Sequence, residues 1–272
     1  MNIIADIGGT KMRIAKVISN DKFEEPIIVD TPQDFDAGIQ LFCDTVTKLL
    51  DGNSAEKIVI GVPGVLDERK ERLFRAPHLK SWEKRDIKSE LENRLKGKVY
   101  LENDTALVGL GEANFGAGKE FNIVVYMTVS TGVGGVRIVN KKIDEHKFGF
   151  EPGHMIVMID GRPHELEEFV SGTSIEKKYG KKPWEIEDEE VWDDCAKYLA
   201  LAVYNLQMEW SPDAVVFGGS MFKDVGIKVP TIEKYLKTWY TPIFPEDPIL
   251  KKSELNDFGG LYGGLAYLGQ VS

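Results

Sequence analysis

The sequence predicts an α/β protein built from two copies of one unit. A strand, a glycine turn and a return strand open the chain at 1–17 and recur at 122–140, about 125 residues apart. Short apolar runs such as Lys57 to Val62 read as buried strands, and segments with apolar residues at helical spacing stand between them. From this we expect a smaller domain at 1–105, completed by a terminal helix at about 259–272, and a larger one at 106–258.

Taking the elements in order, Ile3 to Ala5 leads into Asp6, Ile7, Gly8, Gly9 and Thr10, and an apolar-rich run resumes from Met12 to Ile18. This is two strands joined by a glycine turn. Adjacent glycines let backbone N–H groups form a concave patch for an anion, and Thr10 and Lys11 add a hydroxyl and a positive charge. Asp6, at a strand end, is placed to organise a hydrated metal ion. A plain hairpin whose Gly-Gly serves only the turn accounts for the same residues.

A third strand is expected at Glu25 to Asp30, then a helix over Asp34 to Leu50 with Phe35, Ile39, Phe42, Val46, Leu49 and Leu50 at helical spacing. The strand Lys57 to Val62 runs into Pro63-Gly64, which suits either close approach to a ligand or simple loop punctuation. Leu73 to Leu79 reads as a loop carrying His78, Arg85 to Leu95 as an amphipathic helix, and Lys98 to Leu101 as a short strand. That strand delivers Glu102, Asn103 and Asp104 to the start of another helix. Strand ends in open α/β sheets hold ligands, and Asp or Asn at such a switch is equally an ordinary helix N-cap.

In the second hairpin the turn is Thr131-Gly132-Val133-Gly134-Gly135; two anion-holding turns facing one cleft can clamp a polyphosphate. Glu151-Pro152-Gly153-His154 and the acidic Glu165-Leu166-Glu167-Glu168 follow. Glu185 to Trp210 is mostly long helix, with Ala196, Leu199, Ala200, Val203, Leu206 and Met208 on its buried side. Asp213 to Phe217 is a strand ending in Gly218-Gly219, a turn that lets the chain approach a flat ligand such as adenine. Ile227 to Tyr240 is helical after Pro230, and Gly259 to Leu268 is a small-residue helix suited to close packing.

The 272 residues contain 42% hydrophobic and 29% charged residues, a balance typical of soluble globular proteins. A net charge of -10 without a long basic run argues against nucleic-acid binding as the main role. Cys43 and Cys195 stand far apart and form neither a disulfide framework nor a cysteine zinc motif. No run is long and apolar enough to span a membrane, and Met1 lies almost directly on a strand, so no signal peptide and a cytoplasmic location are expected.

Taken together, the motifs resemble those of the ROK family of sugar kinases, within the wider actin and hexokinase fold (ribonuclease H-like). The residues that carry the resemblance are Asp6-Ile7-Gly8-Gly9-Thr10, Gly61-Val62-Pro63-Gly64, Ala76-Pro77, Glu102-Asn103-Asp104, Thr131 to Gly135, Glu151 to His154, Glu167 and Gly218-Gly219, in family order. The resemblance implies two domains related by duplication, with an active-site cleft between them. It also implies ATP-dependent phosphorylation of a glucose-like hexose, with Asp104 as general base. Gly64, His78, Asn103, Glu151, His154 and Glu167 match sugar-side positions. Gly8, Gly9, Thr10, Lys11, Thr131 and Gly132 would hold ATP phosphates, Asp6 would place Mg²⁺ through water, and Gly218-Gly219 would face the adenosine. Family members commonly form dimers.

The sequence departs from the family in two places. Many members carry a C-x-C-G-x-x-G-C zinc motif after the Glu-x-Gly-His, with that His as fourth ligand. Here the cysteine positions fall on Met158, Asp160 and Glu165, so no zinc site is expected. His154 with Asp160 and Glu165 suits a harder ion, or these are surface acids. His78 stands where kinases of this group often have Asn. Rival readings are a kinase for an N-acetylhexosamine, mannose or fructose, or a sugar-sensing or regulatory protein of the family. The family's repressor branch carries a helix-turn-helix ahead of the first phosphate turn, for which Asp6 lies too close to Met1.

Overall fold

The structure, a computed structural model, describes residues 1–159 and 161–271. The chain divides into two compact units: 1–114 with 145–149 and 257–272, and 115–144 with 150–256.

The first unit is a six-stranded sheet. Its strands are β1 (Asn2–Ile7), β2 (Lys11–Ser19), β3 (Lys22–Phe23), β4 (Ile27–Asp30) and β5 (Lys57–Val62), and, beyond a small hairpin of β6 (Val65–Leu66) and β7 (Leu73–Arg75), β8 (Lys98–Asn103). They lie in the order β3-β2-β1-β5-β8, with β4 also against β2. β1 runs antiparallel to β2 and parallel to β5, which runs parallel to β8. Pro26 starts the third main strand two residues later than the apolar pattern suggested, because proline has no N–H for the ladder.

Helix α1 (Phe35–Leu50) begins where the Asp34 carboxylate accepts from the Ala37 N–H, and it turns Phe35, Ile39, Phe42 and Val46 to the core. Helix α2 (Ile87–Leu95) starts two residues after the expected Arg85, since Asp86 is its N-cap. Residues 73–79, expected as loop, begin with β7 instead. Helix α3 (Asp104–Phe115) follows β8 directly. Up to Asn114 it stays with the first unit, past the expected boundary at 105, because α8 (Gly259–Leu268) packs on it. A Cβ at Gly263 would lie 1.8 Å from the Leu107 carbonyl oxygen, so only glycine permits that approach.

The second unit repeats the plan. Its sheet joins β9 (Ile123–Val129), β10 (Val133–Val139), β11 (Lys142–Ile143), β14 (Ala214–Gly218) and β15 (Ile249–Lys252) in the order β11-β10-β9-β14-β15. As in the first sheet, a two-residue edge strand precedes an antiparallel hairpin, and two parallel strands follow. The duplication thus appears as one strand order used twice. Between β11 and β14 lie a hairpin of β12 (Ile156–Ile159) and β13 (Arg162–Glu165) and the helices α4 (Glu167–Val170), α5 (Gly172–Tyr179) and α6 (Glu189–Trp210). α7 (Val229–Trp239) precedes β15. α6 starts at Glu189 rather than 185, behind the Asp188 cap and a separate turn at Pro183–Glu185. Its Ala196, Leu199, Ala200, Val203 and Leu206 are buried as expected, whereas Met208, in the last turn, is exposed. Among the described residues no helix is long and apolar enough to cross a membrane.

Candidate active site

Three parallel strands of the first unit end side by side. The register pairs Asp6 of β1 with Gly61 of β5, and Gly61 with Glu102 of β8, so Asn103 and Asp104 emerge beside Asp6. Gly61 permits the approach. A Cβ there would sit 3.3 Å from Asp104 Cα and 3.6 Å from Asp6 Oδ1. Burial pushes the Asp6 carboxyl up to about 6, and the Arg13 guanidinium, 3.7 Å away, pulls the other way without prevailing.

The turn between β1 and β2 is held from several sides. Gly8 N–H donates to the Lys11 carbonyl at 2.8 Å, Thr31 Oγ1 donates to the Gly8 carbonyl, and Gln33 Nε2 to that of Gly9. Gly8 therefore shapes the turn, its own N–H being used within it. Lys11 Nζ pairs with Asp30 at 2.5 Å on the exposed side of the sheet. His78 is exposed and packs on this turn: a Cβ at Gly9 would lie 2.8 Å from His78 Cβ.

Both ordinary and special roles appear at the end of β8. Asn103, not Asp104, is the N-cap of α3: its Oδ1 accepts from the Ala106 N–H at 2.9 Å while its Nδ2 donates to the Gly64 carbonyl at 3.0 Å. That bond ties the Pro63-Gly64 corner to β8. Gly64 is required there twice over, by a φ of 97° and by the Arg75 carbonyl oxygen 2.2 Å from where a Cβ would be. Asp104 is the first helical residue, half-buried, with Oδ1 accepting from the Thr105 N–H at 2.6 Å. Behind it the buried Glu102 takes Lys70 Nζ at 2.5 Å on one oxygen and the Asn103 N–H at 3.0 Å on the other. Sequence reasoning missed Lys70 and Arg13. Their partners are fixed by a hairpin corner and by cross-strand register, which no local pattern announces.

In the second unit the turn between β9 and β10 is closed by Ser130 N–H donating to the Gly132 carbonyl at 2.8 Å. The start of α5 packs on it: Gly172 N–H donates to the Ser130 carbonyl at 2.7 Å and Thr173 Oγ1 to that of Thr131 at 2.8 Å. Ser171 is the N-cap of α5, its Oγ accepting from the Ser174 N–H at 3.2 Å. Glu167 lies against the same turn, with Oε2 accepting from the Val133 N–H at 3.3 Å. The register of β14 on β9 sets Gly218 opposite Thr128, and Ser220 Oγ lies 2.9 Å from Ser130 Oγ. Thr131, Gly132, Glu167, Gly218 and Gly219 are thus gathered at one end of the second sheet.

His154 ends a short turn led by Glu151, and its Nδ1 lies 2.8 Å from Glu165 Oε2. That hydrogen bond, helped by the charges of Glu165, Glu167 and Glu151, raises its pKa above the ordinary histidine value. His154, Glu165 and Glu167 offer ligand atoms within 4.8 Å of one another. One imidazole and two carboxylates do not make the thiolate set of structural zinc. Asp160 lies outside the described residues. Asp6 suits magnesium better, because Mg²⁺ keeps most of its waters and takes only one or two carboxylates.

A sequence model of the ROK family matches residues 3–270. The chain belongs to the ROK family. Among relatives, it is 30% identical over 160 residues to a glucokinase of Thermotoga maritima, a stretch covering 57% of this chain and 50% of that protein. The match thus spans half of that glucokinase's length. Over 95% of this ROK chain and 96% of the relative, it is 26% identical to an N-acetyl-D-glucosamine kinase of Escherichia fergusonii. Its fold matches the crystal structure of a ROK family glucokinase from Streptomyces griseus in complex with glucose and AMPPNP. The TM-score is 0.79 at 23% identity, covering 99% of both chains. The fold is therefore the α/β, actin- and hexokinase-like one of ROK hexokinases.

Proposed function

We propose that this protein transfers the γ-phosphoryl group of ATP to a hydroxyl of a hexose, glucose first, with N-acetylhexosamines, mannose and fructose as the alternatives. The observation that supports this reading best is the meeting of Asp6 and Asp104 across Gly61, next to a turn where, among the described residues, neither the Gly9 nor the Thr10 amide has a backbone partner. One carboxylate beside an anion-holding turn suits a metal. A second, a strand away, suits a base.

In this reading Asp104 takes the proton of the attacking hydroxyl, a contribution of about 10²- to 10⁴-fold. Its Oδ1 bond to Thr105 fixes the carboxylate on the first turn of α3. Asp6 orients the metal's water shell, and the Gly9 and Thr10 N–H groups receive phosphate oxygens. Bound Mg-ATP supplies the phosphoryl group and the positive charge that balances it in the transition state. Asn103 serves chiefly to hold Gly64 and cap α3, so its influence on sugar runs through the corner it fixes. Glu151, His154 and Glu167 offer the directional acceptors and donors that sugar hydroxyls need.

A coupled assay of ADP release tests this. With Mg-ATP, release should depend on one of glucose, N-acetylglucosamine, mannose or fructose and be absent with water alone. No release with any of the four, or the same rate without sugar, would overturn it.

A further inference from the structure

The hairpin of β12 and β13 brings Glu165 back beside His154. Its register pairs Ile156 with Glu165, and one step along, Leu166 N–H donates to the Met155 carbonyl at 2.9 Å. Glu165 is itself anchored, its N–H donating to Glu168 Oε1 at 2.9 Å. The carboxylate therefore reaches His154 Nδ1 from a fixed backbone, at 2.8 Å. Glu165 falls where the zinc-bearing members have their last cysteine, so a carboxylate occupies a position at which a thiolate would hold the metal that holds the histidine.

We propose that Glu165 is a positioning residue that replaces a metal: it grips His154 by Nδ1, fixing the ring's orientation and tautomer so that Nε2 meets a sugar hydroxyl. A ring that donates from Nδ1 carries its acceptor on Nε2, and a carboxylate behind a histidine strengthens that acceptor as it does behind metal-bound imidazoles. The raised pKa of His154, caused first by this hydrogen bond, agrees with the geometry. The sugar contact rests on the kinase reading above; the grip on the ring does not.

The experiment uses the full chain, stripped of transition metals by chelation and restored with Mg²⁺ only. Glu165→Ala should raise the sugar KM about tenfold while kcat and the KM for ATP stay within about twofold. Glu165→Gln keeps an acceptor without the charge and should fall between Ala and wild type. In sugar-free protein, at a pH above the His154 pKa, ¹⁵N shifts of the ring should report a single Nδ1–H tautomer in wild type and a tautomer mixture in Glu165→Ala. An unchanged tautomer signal in Glu165→Ala would overturn the proposal whatever the kinase assay shows, so its failure is separable from that of the kinase reading. An unchanged sugar KM in an active Glu165→Ala enzyme would overturn it too, as would a tenfold fall in sugar KM when zinc is added to stripped wild type.

Discussion

At the scale of single residues, Asp6 has the sharpest consequence. Its folded carboxyl titrates at about 6 instead of 3.8, with burial as the main cause, so the native state binds a proton more tightly than the unfolded chain does. Such a group costs nothing below about pH 4. Stability is then lost as pH rises toward about 6, by on the order of 3 kcal/mol in full. The Asp6→Asn variant lacks this titration. Thermal melts between pH 4 and 7 should therefore show the variant gaining on wild type as pH rises, and parallel curves would contradict the buried-carboxylate account. A site that keeps a costly charge in place is what metal binding requires, and the same variant is expected to bind Mg-ATP poorly. Residue types were largely legible at this scale, since Asp6, Gly9, Asp104 and His154 stand in recognisable motifs. The partners were not: Arg13 against Asp6 follows from cross-strand register, and Lys70 against Glu102 from a hairpin corner.

At the scale of elements, the glycines of α8 decide how closely two helices approach. Gly263 faces the backbone of α3 at Leu107 with no room for a methyl group, while a Cβ at Gly269 would have nothing nearer than 3.5 Å. Gly263→Ala should cost roughly 2–4 kcal/mol by overpacking, and Gly269→Ala less than about 0.5 kcal/mol. Denaturant unfolding of the two variants checks this, and equal midpoints would contradict it. Helical spacing located α1, which turns one face to the core; β5 showed as a continuous apolar run because it is buried on both faces, and α8 as a stretch of small residues. Helical spacing misjudged starts where a capping side chain sets them, as with Asp86 before α2 and Asp188 before α6. Met208 was placed on the buried side of α6 yet is exposed, because two residues past Leu206 a helical position turns to the opposite face.

At the scale of the whole molecule, one strand order is used twice, and each copy ends its first hairpin in a glycine-bearing turn. The repeated strand-turn-strand pattern made this duplication visible in the sequence, since hairpins are local. The parallel strands that complete each sheet are paired across long connections, and their order became visible only in the fold. The proposed function rests on a still smaller set of groups, the residues where β1, β5 and β8 end together. Steady-state kinetics of Asp104→Asn with Mg-ATP and the preferred sugar, alongside sugar affinity by calorimetry, test that claim most directly. We expect turnover to fall by at least about 10²-fold with sugar affinity within about threefold of wild type; a kcat near wild type would contradict the assignment of Asp104 as the base.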